Sequence, residues 1–112
     1  MAFFKVEFIE FRLESSDEKA FTAWYKANSE RMDELVADLL ADNYKLGLSP
    51  DFENQCIIIS LTCKAEKHPN SGKCFTSRSD TWEDALWLTL YKHYALSPDG
   101  VWPDRKSQRS WG

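Results

Sequence analysis

The stretch Gln55-Cys56-Ile57-Ile58-Ile59-Ser60-Leu61-Thr62-Cys63-Lys64 decides the fold. It is rich in β-branched residues, and strand alternation puts Ile57, Ile59, Leu61 and Cys63 on one face. Ile58, Ser60, Thr62 and Lys64 fall on the other, so this strand belongs to a sheet covered on one side only. On its N-terminal side, Pro50-Asp51-Phe52-Glu53-Asn54 supplies turn chemistry. Before that turn, Tyr44 to Ser49 alternates with Tyr44, Leu46 and Leu48 inward. On the C-terminal side, His68-Pro69-Asn70-Ser71-Gly72 forms a loop ahead of a short strand from Lys73 to Arg78. Connections of hairpin length make these three strands an antiparallel meander.

Helices flank the meander. Ser15-Ser16-Asp17-Glu18 reads as a helix start with capping-box spacing between Ser15 and Glu18. From there Phe21, Trp24, Asn28, Met32, Leu35 and Leu39 recur at helical steps. Asn28-Ser29 is a break at which Ser29 can cap a second helix beginning at Glu30-Arg31 and ending near Asn43. Asp80 or Ser79 caps a last helix that runs to about Leu96 and is stopped by Ser97-Pro98-Asp99-Gly100. At the start of the chain, Phe4, Val6 and Phe8 share one face whereas Ile9, Phe11 and Leu13 share the other. One extra residue near Phe8-Ile9 explains the change of phase, which predicts a bulged strand. The expected fold class is α+β: a two-layer sandwich, its antiparallel sheet made of that strand and the meander, with helices on one face. Residues 1–102 are expected to form one domain, with 103–112 a flexible tail.

The 112 residues are 43% hydrophobic and 29% charged, a composition that folds without disulfide or metal staples. No apolar run reaches the ~20 residues of a membrane span. Met1-Ala2-Phe3-Phe4-Lys5 lacks the basic region and apolar run of a signal peptide. Three cysteines, Cys56, Cys63 and Cys74, suit a reducing compartment, so a cytoplasmic protein is expected. The net charge of −4 excludes a nucleic-acid coat protein of the strongly basic kind. Charge is divided, however. Residues 1–54 carry six Lys/Arg against twelve Asp/Glu, whereas residues 55–112 carry eight against six. Phosphate, if bound, belongs to the second half.

Few residues assemble into catalytic patterns. Cys63, His68 and Cys74 are spaced C-x4-H-x5-C without the CxxC pair that anchors zinc sites, so buried thiols and no metal or other cofactor are expected. His93 lies on the core-facing side of the last helix, where a hydrogen-bonded core histidine is the simpler reading. The nucleophile-elbow, zincin, Walker A and dinucleotide-binding patterns do not occur, and a non-enzymatic protein is expected.

Two surfaces stand out. The open sheet face shows Lys45, Gly47, Ser49, Ile58, Ser60, Thr62 and Lys64, with Thr76 and Arg78 from the next strand. The last helix carries one apolar stripe of Trp82, Ala85, Leu86, Thr89 and His93 and a second of Trp87, Tyr91 and Tyr94. One sheet cannot cover both. The second needs the C-terminal segment with Val101 and Trp102, a second subunit or a ligand.

From Leu39 to Tyr94 the chain resembles small proteins encoded by phages and environmental viral genomes. The resemblance is carried by Asp42-Asn43-Tyr44-Lys45, Ile58-Ile59-Ser60-Leu61-Thr62, Gly72-Lys73-Cys74, Ser77-Arg78, Trp82-Glu83-Asp84-Ala85 and Tyr91-Lys92-His93. It implies a small accessory protein made inside a host cell. The order helix, three strands, helix is also similar to a double-stranded-RNA-binding domain. That family opens its last helix with lysines on phosphates, whereas Arg78-Ser79-Asp80-Thr81-Trp82-Glu83-Asp84 here has three acids to one base and repels them.

The leading expectation is a non-enzymatic accessory protein that binds single-stranded nucleic acid. Lys64, Lys73, Arg78 and Lys92 would contact phosphates while Trp82, Phe75 or the Trp87/Tyr91/Tyr94 stripe stacks on bases. The competing expectation is a protein-binding module or inhibitor, or a homodimer, that uses the acidic helices and an interface of Trp87, Tyr91, Tyr94 and Trp102.

Overall fold

The computed structural model describes residues 7–97 and 100–102, with Glu7 described in its backbone only. Its elements are strand β1 (Glu7–Glu10), a 3-10 turn (Ser15–Asp17), helices α1 (Glu18–Asn28) and α2 (Met32–Ala41), strands β2 (Tyr44–Asp51), β3 (Cys56–Cys63) and β4 (Lys73–Ser79), and helix α3 (Trp82–Tyr94). The fold is α+β with helices layered on a four-stranded sheet of order β1-β4-β3-β2.

The meander stands as expected. β2 pairs antiparallel with β3 from Tyr44↔Cys63 to Asp51↔Cys56, and β3 pairs antiparallel with β4 from Ile57↔Ser79 to Thr62↔Cys74. The first strand differs. β1 joins β4 in parallel, from Glu7↔Lys73 to Glu10↔Thr76, so the sheet is mixed. A strand separated from its neighbour by two helices and a hairpin can return in either sense, because the long connection imposes no hairpin geometry. The register runs through Phe8 and Ile9 without a bulge, so the change of phase is not made by an extra residue there. Phe4 and Val6, on the other arm of that pattern, lie outside the described residues, as does the tail expected over 103–112.

Helix ends shift by small amounts. Glu14 N–H donates to the Asp17 carboxylate at 3.4 Å and Asp17 N–H closes the 3-10 turn on the Glu14 carbonyl at 2.9 Å, so Asp17 caps from Glu14 and the expected Ser15–Glu18 box does not form. α2 begins after Arg31 rather than at a Ser29 cap. Between the helices Asn28 turns inward, its Nδ2 donating to the Trp24 carbonyl at 2.8 Å, which closes α1 from its own side chain. Asn43, at φ 68°, turns the chain from α2 into β2, a conformation that asparagine tolerates. The cap of α3 is Thr81, whose Oγ1 accepts from Asp84 N–H at 3.2 Å.

The core lies between sheet and helices: Ile9, Leu35, Leu39, Tyr44, Ile59, Leu61, Phe75, Leu86, Leu90 and Trp102 are all buried in one cluster. α3 packs on β3 and β4, α2 on β2, and α1 against α3. This arrangement answers the excess of apolar surface on α3. Trp24 meets Trp87 at 5.8 Å and Tyr91 at 5.6 Å between ring centroids, Tyr25 meets Trp87 at 5.0 Å, and Phe21 meets Tyr91 edge-on at 5.2 Å. On the α2 side, Tyr94 Oη donates to the Leu35 carbonyl at 2.8 Å. The body that covers the stripe is therefore chiefly α1, which was not among the covers expected. The buried rings of Trp87 and Tyr91 are spent on the chain's own core rather than held out to a partner.

The C-terminal segment has a different task. Trp102, 1% exposed, stacks over Phe75 at 4.4 Å and beside Tyr44 at 5.3 Å. Its backbone N–H donates to Asn70 Oδ1 at 2.6 Å, and Asn70 Nδ2 donates to Tyr44 Oη at 3.0 Å and to the Gly100 carbonyl at 2.7 Å. Loop, sheet and terminus are thus tied through one buried amide, with both its oxygen and its nitrogen satisfied.

Candidate functional site: the open face of the sheet

Register defines the face opposite the helices as three rows of side chains. Phe8, Cys74, Thr62 and Lys45 form the first; Glu10, Thr76, Ser60 and Gly47 the second; Arg78, Ile58 and Ser49 the third. Every residue expected here from β2, β3 and β4 is in place, and Lys64, two residues beyond Thr62, is exposed in the same alternation. Gly47 has a structural reason in the second row, since a Cβ there would stand 2.7 Å from Ser60 Oγ.

Phe8, which the expected bulge would have turned inward with Phe4 and Val6, points out from the open face instead. Its ring is 62% exposed and heads the row that ends in exposed Lys45, about three inter-strand spacings or ~14 Å away. The signal was present: Ile9 and Phe11 alternate with Glu10 and Arg12, so burial of the first pair turns Phe8 outward.

Cations at the far end of the face are already engaged. Arg78 Nη2 lies 2.8 Å from Glu10 Oε1 and its Nη1 3.4 Å from Asp51 Oδ2, while Arg12 pairs with the other Glu10 oxygen. The Asp51 carboxyl is held below its usual range by hydrogen bonds from the Asn54 side chain and backbone, with the Arg78 charge adding to them.

The other residues expected to bind nucleic acid are dispersed. Phe75 is fully buried beneath Trp102. Lys73 Nζ donates to the Trp102 carbonyl at 2.9 Å. Lys92 is half-buried in the helix layer, its Nζ 5.5 Å from the Phe11 ring centre and 5.8 Å from that of Phe75, and burial lowers its pKa. Trp82 is 48% exposed but opens α3 at the opposite end of the sheet from Lys64. Of that set, only Lys64 and Arg78 stand with the open face.

The reactive residues point to packing. The Cys74 thiol is buried, receives Thr62 Oγ1 at 3.3 Å and is pushed up in pKa by burial, the reverse of an activated nucleophile. His93 Nδ1 accepts from Trp102 Nε1 at 3.0 Å, and His68 Nδ1 accepts from Asn70 N–H at 3.1 Å. Among the described residues no group of three or more His, Cys, Asp and Glu is placed to hold a metal ion, and no helix is long and apolar enough to cross a membrane.

Comparison with protein-family models, with curated proteins and with solved structures finds no match.

Proposed function

We propose that this chain is a non-enzymatic accessory protein, of the phage or viral type working in a host cytoplasm, that takes single-stranded nucleic acid across its open sheet face. The observation that carries the reading is the exposed Phe8 ring in one row with Thr62 and Lys45. A flat β-surface with a protruding ring, hydroxyls and lysines suits a strand whose bases stack and whose phosphates meet ammonium groups. Lys45 and Lys64 are the phosphate contacts, Phe8 is the stacking platform, and Thr62, whose hydrogen goes to Cys74 Sγ, accepts from a sugar hydroxyl. The ring supplies what the β2–β4 part of this face lacks. The site is weakly charged, so binding is modest in strength and depends on salt.

Titration of labelled oligo-dT and oligo-rU tests it. With two phosphate contacts, log affinity falls against log salt with a slope near −1.4, at about 0.7 per contact for single strands. Phe8→Ala costs about 1–3 kcal/mol of binding, the worth of one stacked base. Lys45→Gln flattens the salt slope by roughly 0.7. A wild-type protein that binds neither oligonucleotide at about 50 mM salt, or a Phe8→Ala variant that binds as well as wild type, overturns the reading.

A further inference from the structure

The β2–β3 turn lies at the end of the sheet away from Lys45 and Lys64, beside the start of α3. Leu48 and Pro50 are on the helix side of β2 but are exposed, whereas Tyr44 and Leu46 on the same side pack with the core. Phe52 at the turn is 86% exposed and lines a groove of about 310 Å³ with Pro50, Cys56, Ile57 and Asp80. Trp82, half-exposed, follows two residues after Asp80.

The turn is held rigidly. The Asp51 carboxylate accepts from Asn54 N–H at 3.3 Å, from Asn54 Nδ2 at 2.8 Å and from Arg78 Nη1 at 3.4 Å. The backbone that carries Phe52 is thereby ordered before any partner arrives, which lowers the entropic cost of docking for the turn.

Charge identifies the partner. Asp80 lines the groove, and Glu53 on the turn and Glu83 and Asp84 in the first turn of α3 are exposed with it; neither residues 50–57 nor residues 79–91 contain a lysine or arginine. Among the described residues the cation that reaches this turn, Arg78, is already paired with Glu10 and Asp51. Nucleic acid is repelled from such a rim, and a lone hydrophobe gains nothing from it.

We infer that the β2–β3 turn and the start of α3 form a docking surface for a segment of another protein in which an apolar anchor is flanked by lysines or arginines. The anchor enters the groove beside Phe52, and the flanking cations meet Glu53, Asp80 and Glu83. This surface is separate from the open face and stands or falls independently of it.

The experiment is a backbone-amide NMR titration of the full chain with a synthetic peptide carrying a central Leu-Leu-Phe between lysine triplets, and with its glutamate counterpart. The lysine peptide shifts resonances of Asp51 to Ile57 and Asp80 to Asp84, and the glutamate peptide shifts none. Phe52→Ser, at a side chain almost wholly in water, leaves the circular dichroism unchanged and weakens the peptide about tenfold or more, the behaviour of a hot spot. Three results overturn the inference: no shifts with the lysine peptide, shifts centred on the α2 acids Asp33, Glu34 and Asp38, or equal affinity for Phe52→Ser. An oligonucleotide, in contrast, moves Phe8 and Lys45.

Discussion

Trp102 Nε1 donates its hydrogen to His93 Nδ1 at 3.0 Å, so the C-terminal segment is fastened to α3 through an imidazole that must be neutral to accept. Burial lowers the His93 pKa to about 4, with Asp42 raising it and the neighbouring His68 lowering it further. Tyr44 and Tyr94 pack edge-on against the same ring at 5.1 and 4.9 Å.

Acid sensitivity follows. In the unfolded chain the imidazole takes up a proton near pH 6.5, whereas in the fold it resists until about pH 4. The stabilisation is therefore complete above pH 6.5 and is lost progressively as pH falls to about 4, on the order of 2 kcal/mol from this group. Urea unfolding at a series of pH values shows the decline, and His93→Gln removes most of the slope within that window. An unchanged slope in the variant contradicts the assignment.

Asn70 is the second fastening. Asn70→Ala breaks three hydrogen bonds and leaves the Tyr44 hydroxyl and the Trp102 amide without that partner, a loss of about 3 kcal/mol. Combined with Trp102→Ala in a double-mutant cycle, the two losses are less than additive by at least about 0.5 kcal/mol, because each removes part of the other's setting.

Trp87 and Tyr91 act in stability. Trp87→Ala costs about 3–5 kcal/mol by deleting a buried ring held between Trp24 and Tyr25. Tyr91→Glu places a carboxylate among Phe11, Phe21 and Trp24 and unfolds the chain at room temperature. Circular dichroism reads both. A folded Tyr91→Glu protein that differs from wild type only in mass by light scattering would instead make this ring an interface.

Ser77 offers a gain. Its Oγ is buried and has no hydrogen-bond partner among the described residues, so Ser77→Ala removes an uncompensated hydroxyl. Thermal unfolding of the variant should show about 1 kcal/mol of added stability.

Glu10 holds two arginines away from solution anions. Glu10→Gln keeps the shape of the site, frees Arg12 and leaves Arg78 with Asp51 alone, so the open face gains positive potential. Oligonucleotide affinity rises severalfold at low salt and the salt slope steepens by about 0.7 for the one released cation, Arg12. The same variant is less stable, since Arg78 loses a partner, and the two effects are separated by measuring each.

Periodicity, with turn and cap residues, determined the three-stranded meander, the division of β3 into a buried and an open face, the break between α1 and α2, and the presence of more apolar surface on α3 than one sheet hides. Each depends on local backbone geometry, where a residue's direction follows from its place in a repeat of 2 or 3.6. Tertiary structure decided the rest: the parallel return of β1 to β4, the covering of Trp87 and Tyr91 by α1, the outward turn of Phe8, and the engagement of Lys73 and Arg78 by other parts of the chain. These outcomes join segments far apart in sequence, as Phe8 meets Cys74 and Lys73 meets Trp102. Which distant faces meet is settled by the free energy of the whole packing, and a one-dimensional pattern shows that a surface must be covered without showing what covers it.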